Sequence, residues 1–378
     1  MKIGIVGSGA MGSGIAQVAA QAGHEVILSD QSDAVLLKSE TQLKETLDKL
    51  VQKGKVDSAA AKSILSRIKR TTNNSDFADC GLVIEAIVEN VDIKKSLFSS
   101  LDSIVTEECV LASNTSSLSI TAIASASKNP ARVMGIHFFN PAPLMPLVEI
   151  IPAMQSDLAH VKKMQDLITS WGKSVVLAKD TPGFIVNRVA RPFYGEALRI
   201  YEEGMASFAT IDTAMKELGG FRMGPFELMD LIGNDVNYAV TESVFRAMYY
   251  DQRYKPSITQ LKMTEAGWLG RKSGRGYYSY SDPKDSSEDR NPDLENSIFE
   301  RILVMLINEA YDAEYMGIAS GSDIDLAMTK GVNYPKGLIE WGKEFGLQKV
   351  ESILDSLNKK YGEDRYRCSP GIRNTVKL

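Results

Sequence analysis

The chain has 378 residues, enough for two or three hydrophobic cores, since a single core stops growing near ~250 to 300 residues, so several domains are expected. A net charge of −5 and a sequence pI near 5.5 give no general basic field, which excludes nucleic acid as the main partner. Three cysteines, Cys80, Cys109 and Cys368, are too few and too scattered for a disulfide framework or a metal cluster, and no apolar run approaches the ~18 residues of a membrane span. A reducing cytoplasm, no metal and no membrane are the expectations.

Lys2 to Val6 reads as a short strand, followed by Gly7-Ser8-Gly9-Ala10-Met11-Gly12 and a helical pattern that Gly23 stops. Strand, G-x-G-x-x-G and helix stand in the order of a dinucleotide fingerprint. Gly7 permits the tight turn, Gly9 the approach of backbone amides to a pyrophosphate, and Gly12 close packing of helix on strand. Ala10 and Met11 open the helix whose N-terminus faces the phosphates. These glycines also account for an N-terminus that otherwise imitates a signal peptide. A second strand, Glu25 to Ser29, ends in Asp30, 18 residues beyond Gly12. A carboxylate there accepts from the adenosine ribose 2′-hydroxyl and repels a 2′-phosphate, which favours NAD over NADP.

From Ala34 to Arg70 the pattern is helical and basic, nine Lys or Arg against four acids. It is either a solvated helix face or a landing site for a phosphorylated substrate, with Lys49, Lys53 and Lys55 nearest the expected turn at Gly54. Strand signals resume at Leu82–Ala86, Val110–Ala112, Val133–Ile136, Leu147–Ile151 and Val175–Leu177, separated by segments of helical length. Such alternation implies a largely parallel sheet, with ligands at the carboxyl ends of its strands. Glu85 to Glu89, Ser113 to Ser117 (with Ser116) and His137 all fall at such ends.

The stretch Val133 to Glu149, VMGIHFFNPAPLMPLVE, is where the chemistry is expected. Pro141, Pro143 and Pro146 force the chain out of one strand and back in another. His137 and Glu149 then come to neighbouring strand ends, where such a pair works as general base and orienting partner. Asp180 to Phe184 breaks the pattern, and beyond it nearly everything reads as helix, with Asn187 on the first helix. This helical part repeats itself. Glu196-Ala197, Gly204, Ala206-Ser207 and Ile211-Asp212 recur as Glu309-Ala310, Gly317, Ala319-Ser320 and Ile324-Asp325, each displaced by 113. A polar segment from Ser281 to Pro292, linker-like in composition, divides the copies.

Taken together, the glycine fingerprint with Asp30, EAIVEN (85–90), SNTSSL (113–118), HFFNP (137–141), Glu149, DTPGFIVNR (180–188), MGPFELMD (223–230) and GRKSGRGYY (270–278) resemble the L-3-hydroxyacyl-CoA dehydrogenases over essentially the whole chain. The resemblance implies an α/β Rossmann-type doubly wound sheet (1–182, with the basic insertion at 34–70) followed by two tandem all-α domains, 183–282 and 293–378. It implies NAD as cofactor, an acyl-CoA substrate such as 3-hydroxybutyryl-CoA, and a place in fatty acid β-oxidation or butyrate metabolism. By the same resemblance His137 and Glu149 are the catalytic pair, Ser116 and Asn187 contact the substrate near the reacting carbon, and Glu89, Lys94, Asn140 and Lys262 lie near the cofactor. The protruding basic helices match the segment that receives coenzyme A. Shorter members carry one helical copy, and the second copy here lacks counterparts of GRKSGRGYY and of the full MGPFELMD. If it supplies the contact surface of a dimer partner the chain is a monomer, and otherwise it is a homodimer. Two rival readings remain at this stage, a dehydrogenase of a free hydroxy acid like the gulonate dehydrogenases that double as lens crystallins, and a non-catalytic NAD-binding protein.

Overall fold

The computed structural model describes residues 1–281 and 290–377, which divide into two compact units, Met1–Thr181 and Pro182–Leu378. The first unit runs β1 (Lys2–Val6), α1 (Ala10–Gln21), β2 (Glu25–Ser29), α2 (Asp33–Gln52), α3 (Ser58–Ser66), β3 (Ile68–Thr71), β4 (Leu82–Glu85), α4 (Val91–Asp102), β5 (Val110–Ser113), α5 (Ile120–Ala124), β6 (Val133–Phe138), β7 (Leu147–Pro152), α6 (Leu158–Ser170) and β8 (Ser174–Leu177). The strands form one sheet in the order β3-β2-β1-β4-β5-β6-β7-β8. All neighbours are parallel except β6 and β7. The order reverses between β1 and β4, which makes the carboxyl ends of these strands a switch point.

Both side-chain parities of the strands are apolar and buried, as a sheet covered on its two faces requires. Ile3, Ile5, Val26, Leu28, Ile84, Ala112, Ile136 and Ile150 pack in one core with residues of α1, α2, α3 and α6. Val83, Leu111, Val133, Leu147 and Ile151 alternate with them and are buried as well. Two boundaries differ from the sequence reading. Ile68 to Thr71, placed there at the end of the basic helical insertion, is β3 and pairs with β2. Four residues with one buried side chain, Ile68, carry too little periodicity to separate a short edge strand from a helix. β6 also runs one residue past His137, to Phe138, so His137 lies inside the strand and not at its end.

The second unit holds α7 (Val186–Val189), α8 (Arg191–Glu202), α9 (Phe208–Gly219), α10 (Pro225–Ile232), α11 (Asn234–Ala247), α12 (Ile258–Glu265), α13 (Pro292–Tyr315), α14 (Gly321–Gly331), α15 (Leu338–Phe345), α16 (Leu347–Tyr361) and α17 (Pro370–Val376). Most of the linker-like segment, 282–289, lies outside the described residues. The repeat is visible in hydrogen bonds. Asp212 accepts from the amides of Phe226 and Glu227, both at 2.9 Å, and Asp325 accepts from Ile339 and Glu340 at 2.7 and 3.0 Å. A remote carboxylate thus caps the first turn of α10 and of α15 alike. Asp212 also accepts from the Tyr278 hydroxyl, inside the GRKSGRGYY stretch that the second copy lacks. Asp230 holds the same stretch through the amides of Tyr277 and Tyr278 at 3.0 Å, which gives these two motifs a structural reason.

Candidate active site

The glycine loop leaves β1 through Gly7, whose φ of +96° an L side chain rarely adopts, and enters α1 at Gly9. A Cβ on Gly12 would lie 1.8 Å from the Gly7 carbonyl oxygen, so helix and loop approach this closely only with glycine there. A Cβ on Gly9 would meet nothing within 4 Å, so the start of α1, where Ala10 and Met11 follow, borders open space. Beside it lies a cavity of about 890 Å³ lined by Gly7, Gly9, Asp30, Gln31, Val88 and Ile93 among others. That size suits a nucleotide. Asp30, just past β2, accepts from the Ser8 amide at 2.6 Å, the Ser8 hydroxyl at 2.8 Å and the Gln31 amide at 2.7 Å. Burial opposes its charge, but these donors outweigh burial and hold the carboxyl below its ordinary value, so it is ionised at neutral pH. Loop, helix terminus and carboxylate together fit NAD.

At the ends of β4 and β5 the chain builds a buried polar network. Glu85, fully buried, accepts from Lys94 Nζ at 2.7 and 2.8 Å, from the Ile87 amide at 3.1 Å and from the Ser113 hydroxyl. Lys94 is 1 % exposed and also lies 3.3 Å from Glu89. Its ammonium is shared between these two carboxylates, so within the structure its work is to position Glu89. Glu89 in turn accepts from the hydroxyls of Thr115 and Ser117 and from the Ser116 amide at 3.3 Å. Burial would raise its pKa, yet Thr115, Lys94 and Ser117 keep it low. Half-buried Ser116 sits on this turn, and its hydroxyl makes no hydrogen bond among the described residues.

His137 and Glu149 are register partners across the antiparallel β6–β7 pair, so their side chains stand on one face of the sheet. His137 Nδ1 lies 2.7 Å from Glu149 Oε2, with the residues 6 % and 0 % exposed. The Phe139 ring lies 4.5 Å from the imidazole, centroid to centroid. The turn-rich segment that returns the chain to β7 is held by buried Lys173, which donates to the carbonyls of Ala142 at 2.6 Å and Met145 at 2.8 Å. Asn114 Oδ1 accepts from the Phe138 amide at 2.8 Å and ties the β5 turn to β6. The sequence reading placed Glu85 and Asn114 in the polar clusters at the strand ends without giving either a role, and it missed Lys173.

Asn140 is exposed in the turn after β6. Lys49, Lys53 and Lys55 are exposed where α2 turns toward α3. In the second unit Asn187 is on α7, and Lys262 on α12 pairs with Glu265 at 2.6 Å.

A family model described as 3-hydroxyacyl-CoA dehydrogenase, NAD binding domain, matches residues 2–181, and the corresponding C-terminal domain model matches 183–280 and again 298–378. The chain is 37 % identical to 3-hydroxyadipyl-CoA dehydrogenase of Escherichia coli K12 over 97 % of this chain and 96 % of that one. It is 45 % identical to a probable 3-hydroxybutyryl-CoA dehydrogenase of Deinococcus radiodurans, over 74 % of this chain and all of the relative. A crystal structure of 3-hydroxybutyryl-CoA dehydrogenase from Escherichia coli K12 superposes with a TM-score of 0.95 at 36 % identity, covering 100 % and 98 % of the two chains. With a dinucleotide cradle, a buried histidine–carboxylate pair and both family domains in one chain, the protein belongs to the 3-hydroxyacyl-CoA dehydrogenase family of NAD-dependent oxidoreductases.

Proposed function

We propose that this chain interconverts an L-3-hydroxyacyl-CoA and its 3-ketoacyl-CoA, with 3-hydroxybutyryl-CoA among the substrates, and that His137 and Glu149 handle the proton. The observation that carries the reading is the 2.7 Å contact between His137 Nδ1 and Glu149 Oε2 in a buried cross-strand pair. Bound NAD supplies the hydride acceptor for the carbinol carbon. With Nδ1–H donated to Glu149, the imidazole presents Nε2 as the atom that takes the hydroxyl proton. Glu149 fixes that tautomer and stabilises the imidazolium as it forms. In the reducing direction the imidazolium returns the proton to the 3-keto oxygen. Ser116 and Asn187 hold the substrate oxygens in reacting geometry.

Gly7, Gly9, Ala10, Met11 and Gly12 are assigned to the pyrophosphate, Asp30 to the adenosine ribose, and Glu89, Lys94, Asn140 and Lys262 to the remainder of the cofactor site. Lys49, Lys53 and Lys55 take the phosphorylated end of coenzyme A. Relatives named for 3-hydroxybutyryl-CoA and 3-hydroxyadipyl-CoA support the thioester class. Three buried free thiols, Cys80, Cys109 and Cys368, each pushed up to about 12 by burial, suit the reducing cytoplasm in which the reading places the protein. The test is NADH consumption with acetoacetyl-CoA beside free acetoacetate. Turnover of the thioester and not of the acid is expected; preference for the free acid would replace the reading with the hydroxy-acid one, and turnover of neither would remove the activity.

A further inference from the structure

The connection between β6 and β7, residues 139–146, is short of hydrogen-bond donors. Three of its eight residues are proline, which has no amide hydrogen, so its carbonyls depend on partners from elsewhere. Pro141 O accepts from the amides of Leu144 at 2.9 Å and Met145 at 3.0 Å, and Pro146 O accepts from the Ser174 amide at 2.8 Å. The carbonyls of Ala142 and Met145 both accept from Lys173 Nζ, at 2.6 and 2.8 Å. Lys173 is 8 % exposed, and burial pulls its pKa below the ordinary lysine value. A buried ammonium is costly unless its donors are used. Here two of them go to one turn.

That turn touches both halves of the proposed chemistry. On one side it rests on α1, where a Cβ on Gly14 would lie 3.2 Å from Ala142 Cβ and 3.2 Å from Pro143 Cδ. Gly14 stands two residues past Gly12 of the glycine loop. On the other side the turn opens with Phe139, whose ring lies 4.5 Å from the His137 imidazole, centroid to centroid. The segment that carries Lys173 also grips β6 from the face opposite His137, because successive strand residues alternate and Trp171 stacks on Phe138 with ring centroids 6.3 Å apart. Gly172, at a φ of +78°, turns the chain between Trp171 and Lys173.

We propose that Lys173 is a positioning residue for the reaction: its ammonium fixes the 139–146 turn against α1 and so sets where Phe139 and His137 stand relative to the cofactor cradle. The inference rests on the reading in which His137 moves the proton and the start of α1 holds NAD. Without the ammonium the carbonyls of Ala142 and Met145 lose donors in buried space, and the turn shifts to reach water. A shift of ~1 Å at reacting groups costs up to ~10²-fold in rate. Lys173 acts through the turn and needs no contact with the reacting atoms.

The experiment measures Kd for NADH by fluorescence titration, and kcat and KM by NADH consumption with acetoacetyl-CoA, in the wild type, Lys173→Met, Lys173→Arg and Gly14→Ala. Lys173→Met removes the donors; kcat should fall by roughly 10- to 100-fold and Kd for NADH should rise several-fold, with KM for acetoacetyl-CoA moving less. Lys173→Arg keeps charge and donors and should recover most of the loss. Gly14→Ala pushes the same turn from the α1 side and should move kcat and Kd in the same direction. A Lys173→Met protein that melts lower yet keeps wild-type kcat and NADH affinity would overturn the positioning role, and so would a loss of equal size in Lys173→Arg. Should Lys173→Met not fold, Lys173→Gln is measured in its place, with the same expectations. If the wild type turns over no thioester, the acyl-CoA reading falls and the NADH titration alone decides: an unchanged Kd in the Lys173 variant overturns this inference.

Discussion

Across the β6–β7 pair Glu149 differs from glutamine by one charge, and in the proposed oxidation the imidazolium formed on His137 would feel that charge at 2.7 Å. Glu149→Gln keeps the shape and weakens the tautomer lock, and kcat should fall by roughly 10²-fold or more with NAD affinity little changed. Full activity in this variant would remove Glu149 from the mechanism. Asp30 is argued the same way. Its ionised carboxylate repels a 2′-phosphate, so kcat/KM should be far higher with NADH than with NADPH, and parity between them would show that Asp30 does not select. A third residue carries a pH prediction. Asp102 pairs with Arg132 at 2.6 Å, the side chains 2 % and 3 % exposed. Burial works against its charge, but Arg132, the Ser127 hydroxyl and the Lys128 amide hold its pKa below the ordinary value. A depressed carboxylate adds stability above its unfolded pKa of about 3.9, and that stability is lost as pH falls through the folded value. Chemical denaturation from pH 6 downward should therefore show a flatter acid loss for Asp102→Asn than for the wild type, and identical slopes would contradict the assignment. Gly7, Gly12, Asp30 and the histidine–carboxylate pair were legible in the sequence because their chemistry requires fixed residue types at fixed local spacing. The parts played by Glu85, Asn114 and Lys173 were not, because what each does depends on partners 9 to 31 residues away.

At the scale of elements, α2 and α3 form a basic hairpin inserted between β2 and β3. Lys53 and Lys55 flank Gly54, whose φ of +65° turns the chain. Changing both lysines to Ala should raise KM for acyl-CoA more at low salt than at high, since exposed charges act over a Debye length that salt shortens, and NADH kinetics should not move. An unchanged KM at low ionic strength would make the hairpin a solvated face only. Besides the GRKSGRGYY stretch, the two copies of the repeat differ at their first helix. α13 is continuous over 24 residues, whereas the corresponding chain in copy one is broken into α7 and α8 before Pro192. Proline has no amide to donate, and Met305 stands at its place in copy two. The helical class of this region followed from periodicity. The burial of Arg191 was not legible, because an arginine in an amphipathic stretch reads as surface until tertiary packing covers it.

For the whole molecule the duplication has a geometric signature. Arg188 donates to Glu309 at 2.7 Å and Arg301 donates to Glu196 at 2.6 Å, and both members of each pair are displaced by 113 in the sequence. Tyr254 and Tyr366 add hydroxyls to the same two carboxylates at 2.5 and 2.6 Å. Residue i meeting j′ while i′ meets j is the reciprocity of a two-fold dimer contact, here within one chain. Glu196→Ala and Glu309→Ala should each cost about 3 to 5 kcal/mol in urea unfolding, because each strands buried arginines; losses near zero would show that these pairs are incidental. Since one chain already satisfies this contact, light scattering at micromolar concentration should give a mass near 41.5 kDa, and twice that would defeat self-contained pairing. The most direct single measurement is NADH oxidation with acetoacetyl-CoA by the wild-type protein and by His137→Gln, side by side. A fall in kcat of roughly 10² to 10⁴ with NADH affinity unchanged is the predicted result, the scale of general acid–base catalysis. Equal turnover by the two proteins would contradict a reaction centred on His137.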